Sequence, residues 1–194
     1  FNGSSGYEEA AVQGFAAGVN AARKLRGQGD FVLKRSESYI GTLIDDLVTK
    51  GTEEPYRIMT SRSEYRLVLR QDNADRRLTP IGHAIGLVSD ERLQKVTEKY
   101  AAVEREIRRL THQGVAPSAA LSAFLAGKGT SDVPDGCPLL SLLRRPGISY
   151  AELAPFDPER PDLPPEVGEQ VELAVKYEGY IRRQEKQIAE MERL

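Results

Sequence analysis

Apolar residues alternate by three and four along residues 90–112, at Leu93, Val96, Tyr100, Val103, Ile107 and Leu110. This heptad seam, with Ser89 placed to cap it, predicts a long amphipathic helix that packs against a partner. The matching stripe lies in residues 165–194, at Val167, Val171, Ala174, Ile181 and Ile188, and an antiparallel pair is expected. A further helix is predicted from Ser38 to Lys50, burying Ile40, Leu43, Ile44, Leu47 and Val48 and closing at Gly51. Residues 1–25 open with a Gly- and Ser-rich turn and run into a helix bearing Gly14, Ala17, Gly18 and Ala21, with Ser5 and Glu8 at capping-box spacing. Residues 26–35 read as a loop. Thr79 and Pro80 read as the N-cap and first position of a short helix ending near Gly86. Between the long helices, Gly and Pro break the chain into short helices at 118–126, 139–144 and 149–153, followed by a connector at 155–165 that holds five prolines. The fold class predicted is mainly α, a bundle-like region with a long heptad helix pair.

Charge changes this picture at one place. Residues 54–79, EPYRIMTSRSEYRLVLRQDNADRRLT, carry Arg57, Arg62, Arg66, Arg70, Arg76 and Arg77 and no lysine. Arg62, Arg66 and Arg70 recur every fourth residue, so a helix capped by Ser61, with Glu64 three residues on, would align them on one face. A guanidinium is planar, permanently charged and able to bind phosphate through two hydrogen bonds, which suits such a row to a sugar-phosphate backbone. The competing reading is an internal ion-pair web with Glu64, Asp72 and Asp75. From Arg57 to Arg77 six arginines face only three acids, so this stretch carries a local excess of positive charge.

Composition bounds the remainder. The chain has 194 residues, 40% hydrophobic and 29% charged, enough for a core without staples. Its net charge of −2 conceals a basic centre between acidic ends. Cys137 is the single cysteine, which excludes an internal disulfide, and His83 and His112 are too far apart for a metal constellation, so no metal site is expected. Asp45 and Asp46 read as the solvated face of their helix. No apolar run reaches the ~20 residues of a membrane span and no signal peptide is visible. With no initiator Met and no stop signal after residue 194, the chain reads as a fragment.

Four strings carry a resemblance: NGSSGYEEAAVQG at 2–14, YIGTLIDDLVTKGTEEPYRIMTSRSEYRLVLRQDNADRRLT at 39–79, LLRRPGISY at 142–150 and KYEGYIRRQ at 176–184. Together they resemble the GidA/MnmG family, the large FAD-binding subunit of the tRNA uridine 5-carboxymethylaminomethyl modification enzyme. The resemblance implies that residues 1–33 close a Rossmann-like FAD domain and that 34–194 form a helical tRNA-binding region, truncated before the end that docks the GTPase. It implies that Asn2, Gly3, Ser4, Ser5, Gly6, Tyr7 and Glu8 abut the flavin, although threonines are usual where Ser4 and Ser5 stand. It implies that the six arginines meet tRNA phosphates. The parent would be a cytoplasmic homodimer using FAD and NADH and acting on the wobble uridine of the tRNA anticodon arm together with an MnmE-type GTPase. The chain lacks the GxGxxG fingerprint and the family's catalytic cysteines, so it is expected to be inactive alone, with no catalytic residue of its own. The alternative is a structural or docking module that contacts the FAD domain, a twin subunit or the GTPase without touching RNA.

Overall fold

The structure, a computed structural model, describes residues 3–191 and residue 193. Its helices are α1 (Tyr7–Leu25), α2 (Tyr39–Thr49), α3 (Ala74–Ala84), α4 (Asp90–His112), α5 (Ala119–Gly127), α6 (Leu139–Leu143) and α7 (Pro165–Met191). Two-residue strands β1 (Gly114–Val115) and β2 (Cys137–Pro138) pair antiparallel, with Gly114 opposite Pro138. Short 3₁₀ turns occupy Thr60–Arg62 and Ala151–Phe156. The chain is mainly α, as its periodicities predict. It divides into two compact units, Phe1–Leu93 with Arg183–Leu194, and Gln94–Arg182, the boundaries falling inside α4 and α7.

The second unit is built on apolar burial. Tyr100, Val103 and Leu110 of α4 and Val167, Val171 and Val175 of α7 enter one cluster, completed by Leu121 and Leu125 of α5 and by α6. α6 is apolar except at Ser141, and its leucines Leu139, Leu140, Leu142 and Leu143 are all buried. The seam residues of the two long helices thus share a core, and Tyr150 is inserted between them. Its ring lies against Gly168 of α7, where an added Cβ would come within 2.9 Å, and its hydroxyl donates to Glu106 of α4 at 2.8 Å. Glu106 is buried and shares Arg109 with the buried Asp157. Those bonds outweigh burial and push the Arg109 pKa up, while burial and Glu106 raise the Tyr150 hydroxyl to about 12. The proline-rich connector is therefore anchored through Asp157. Ser149 and Glu152 exchange the expected capping-box bonds, but Pro155 lies inside the segment that follows, which is the 3₁₀ turn at Ala151–Phe156.

The first unit corrects several expectations. α2 is capped by Ser38, which accepts from the Gly41 amide, and is followed by Gly51 at φ +65°, as predicted. Val48, however, is exposed, and Asp46, expected on a solvated face, is buried. The Ser5–Glu8 capping box is not formed. α1 begins one residue later, with Gly6 as N-cap, so Glu9 occupies the third helical position and is the buried carboxylate. α3 starts at Ala74, and Pro80 lies inside it rather than at its first position. Arg77 fixes this earlier start by donating to Asn73 Oδ1 and to the carbonyls of Glu37 and Arg70. No helix follows Ser61. Its hydroxyl and Glu64 do not form the expected cap, because the Glu64 carboxylate is bound to Arg35.

Candidate nucleic-acid interface

Segment 54–79 is held by the first unit at four points. Ser4 and Tyr56 form a parallel bridge, in which the Ser5 amide donates to the Tyr56 carbonyl at 3.4 Å and the Tyr56 amide donates to the Gly3 carbonyl. Two residues on, the Ile58 amide donates to Glu9 at 2.9 Å. That bond holds the Glu9 carboxyl below its ordinary range, with Arg57 adding a smaller electrostatic share. The third point is Arg35, whose guanidinium reaches Asp45 at 3.0 Å, Asp46 at 2.7 Å and Glu64 at 2.8 Å. Burial opposes these charges. Even so, bonds from Lys50, Tyr56 and Arg35 hold Asp46 at about 2, and bonds to Glu64, Asp46 and Asp45 push Arg35 up. At the fourth point, the Gln184 side chain accepts from the amides of Leu67 and Val68, both at 3.1 Å, and donates to the Glu64 carbonyl at 3.0 Å.

The six arginines divide within this frame. Arg70 grips Asp72 through two bonds, at 2.9 and 3.0 Å, and donates to the Leu67 carbonyl, and Arg77 is spent on Asn73 and two carbonyls. Both are half-buried and work inside the unit. Arg57, Arg62, Arg66 and Arg76 are exposed. Arg62 lies with its guanidinium carbon 4.7 Å from the centroid of the buried Tyr56 ring, which holds the head group against that ring while the residue stays exposed. Among the described residues neither Arg62 nor Arg66 is held in an ion pair by a carboxylate. The fourfold spacing of Arg62, Arg66 and Arg70 is real in the sequence, but the backbone there is a 3₁₀ turn followed by successive turns closed by the Val68 and Leu69 amides on the Tyr65 carbonyl.

Of the turn expected to meet a flavin, Asn2 lies outside the described residues. Gly3 has φ +71°, and a Cβ there would strike Thr52. Ser4 accepts from Gln13 at 3.0 Å, while Ser5, Tyr7 and Glu8 are exposed. A Cβ on Gly6 would lie 1.8 Å from the Glu9 carboxylate, so glycine is needed to seat that anion at the start of α1. A phosphate brought to the same helix end would meet its charge.

Sequence reasoning missed Glu9, Arg35, Tyr56 and Gln184. A signal existed for Gln184, a polar residue on the stripe that also holds Ile181 and Ile188 of α7. Arg35 gave none, because its partners lie 10, 11 and 29 residues away. A cavity of about 750 Å³ opens between α1 and α2, lined by Ala16, Phe31, Ile40, Ile44, Leu47 and Val48 among others. Among the described residues no helix is long and apolar enough to cross a membrane.

Comparison with known proteins assigns the class first. The C-terminal helical domain of the tRNA modifying enzyme MnmG/GidA matches residues 90–185, and glucose inhibited division protein A matches residues 1–29. The tRNA uridine 5-carboxymethylaminomethyl modification enzymes MnmG of Caldicellulosiruptor saccharolyticus and Enterococcus faecalis are 56% and 53% identical over 193 and 194 residues. Both matches cover 100% of the chain and 31% of the relative. Aquifex aeolicus GidA, in its form II crystal, superposes with a TM-score of 0.84 at 39% identity, covering 100% of the chain and 30% of that protein. The chain belongs to the MnmG/GidA family, and it spans about a third of the length of these relatives.

Proposed function

We propose that this chain is the tRNA-holding helical part of an FAD-dependent enzyme that, with an MnmE-type GTPase, installs a carboxymethylaminomethyl group on C5 of the wobble uridine. The observation that carries the reading is the exposed group Arg57, Arg62 and Arg66, projecting from a segment that the first unit pins at Tyr56, Ile58, Glu64 and Val68. Pinning the backbone lowers the ordering cost of presenting the guanidinium groups to phosphates. Arg76 supports them from α3, and Arg70 and Arg77 shape the segment from within.

FAD, reduced by NADH, would supply the redox chemistry of the whole enzyme. Toward it, the residues of this chain do three things. Gly3 and Ser4 hold the turn against Tyr56, Glu9 keeps anions from the start of α1, and Ser5, Tyr7 and Glu8 present an open edge. Residues 1–33 are read as the end of the flavin domain and 34–194 as the RNA-holding region of a cytoplasmic homodimer.

Titrating a tRNA anticodon-arm RNA into a full-length MnmG bearing this sequence tests the reading. Alanine at Arg62 or Arg66 is expected to cost about 1 kcal/mol of binding each and to flatten the salt dependence by about one charge. Unchanged affinity in a folded variant rejects it. The second reading, a docking module that does not touch RNA, is favoured by the apolar cavity between α1 and α2 and forecasts that the titration shows no steep salt slope.

A further inference from the structure

The string KYEGYIRRQ marks the family resemblance, but no function above uses it. Its last residue is Gln184. Its side-chain amide closes a long-range clamp, taking the amide protons of Leu67 and Val68 on one oxygen and giving a proton to the Glu64 carbonyl. All three partners lie in the turns between Arg62 and Arg70, and more than a hundred residues of chain separate them from Gln184. A helix through this stretch would need those amides for bonds to residues four earlier, whereas the Leu67 amide goes to the glutamine and the Val68 amide is shared between it and the Tyr65 carbonyl, so Gln184 supports the turns over the helix expected from the spacing of Ser61 and Glu64. Glu64 is held at its other end by Arg35, so the turn bearing Arg66 is fixed at its carboxylate, one carbonyl and two amides.

We propose that Gln184 is a positioning residue for the RNA-binding turn. It sets the direction in which Arg62 and Arg66 leave the surface and makes no contact with RNA itself. An amide suits the task because it offers an acceptor and a donor at one site without adding a charge beside the arginines. A carboxylate there would keep the two accepted bonds, lose the donated one and repel phosphate. A methionine would keep the bulk and lose all three. This inference rests on the reading of Arg62 and Arg66 as phosphate contacts.

The test uses a full-length MnmG bearing this sequence and an anticodon stem-loop RNA, with dissociation constants measured across a potassium chloride series. Gln184→Met is expected to weaken binding about fivefold, lower the salt slope by about one and speed hydrogen exchange at the Leu67 and Val68 amides. In an Arg62→Ala/Arg66→Ala background the same change should cost nothing further, which loosening of the whole fold would not reproduce. Gln184→Glu should weaken binding by repelling phosphate yet leave exchange at both amides as slow as in the native protein, and it carries the test alone if the methionine variant does not fold, faster exchange or native RNA affinity in it overturning the inference. An additive loss in the double-alanine background, or a native slope in Gln184→Met, overturns the inference. If Arg62→Ala/Arg66→Ala itself binds like the native protein, the phosphate reading has failed instead.

Discussion

The two units solve the same problem with opposite materials. In the second, sixteen buried apolar side chains form one cluster, and a buried ionic group, Arg109 with Glu106 and Asp157, is set beside it. In the first, the buried apolar residues are few, Leu43, Tyr56 and Leu69 among them, and the buried polar ones are as prominent: Glu9, Ser38, Thr42, Asp46, Ser63 and Thr79. Apolar burial is non-directional and tolerates imprecise placement, whereas a hydrogen-bonded charge fixes distance and angle. The second unit is therefore suited to stability and the first to presenting particular groups in particular directions. A surface that must meet phosphates needs the second property.

The largest effect that sharpens this contrast is expected from Leu142→Ala. Leu142 is fully buried in α6, and its loss should cost about 2–5 kcal/mol of unfolding free energy, read by denaturant titration, with little change from pH 7 to pH 4. Next comes Asp46→Ala, which leaves Arg35 and Tyr56 facing a gap. Breaking a buried pair in this way should cost roughly 3 kcal/mol. The native first unit carries a matching acid signature. Asp46 releases its proton more readily folded, at about 2, than it would unfolded, so its stabilising contribution is complete above its ordinary value and drains away as pH falls toward 2. Glu64 and Glu9 shift in the same direction. Amide exchange at Tyr56 and Ile58 should accelerate in that window, and equal protection at pH 5 and pH 2.5 would break the contrast. The smallest effect is that of Ser38→Ala, about 1 kcal/mol from the lost cap on the Gly41 amide.

What was legible in the sequence follows the same division. The bounds of α4 came from the spacing of Leu93 to Leu110, and the starts of α2 and α5 came from Ser38 and Ser118, because periodicity and capping are local. Segment 54–79 was legible as a concentration of arginine but not as a shape. Ser61 and Glu64 have helical capping spacing, yet Arg35 takes the carboxylate and Gln184 takes the amides, and neither partner is near in sequence. Asp46 was misplaced for the same reason, since the phenol of Tyr56 and the guanidinium of Arg35 bury it. Where bonds are local the pattern names the element. Where a side chain from elsewhere competes for the backbone, propensity loses to it.

The most direct test of the central claim is the salt dependence of anticodon-arm RNA binding to a full-length MnmG carrying this sequence, measured for the native protein and for Arg57→Ala/Arg62→Ala/Arg66→Ala. The account predicts that the triple variant keeps its fold and loses about three charges from the slope of log affinity against log salt. A native slope in a folded triple variant would contradict it.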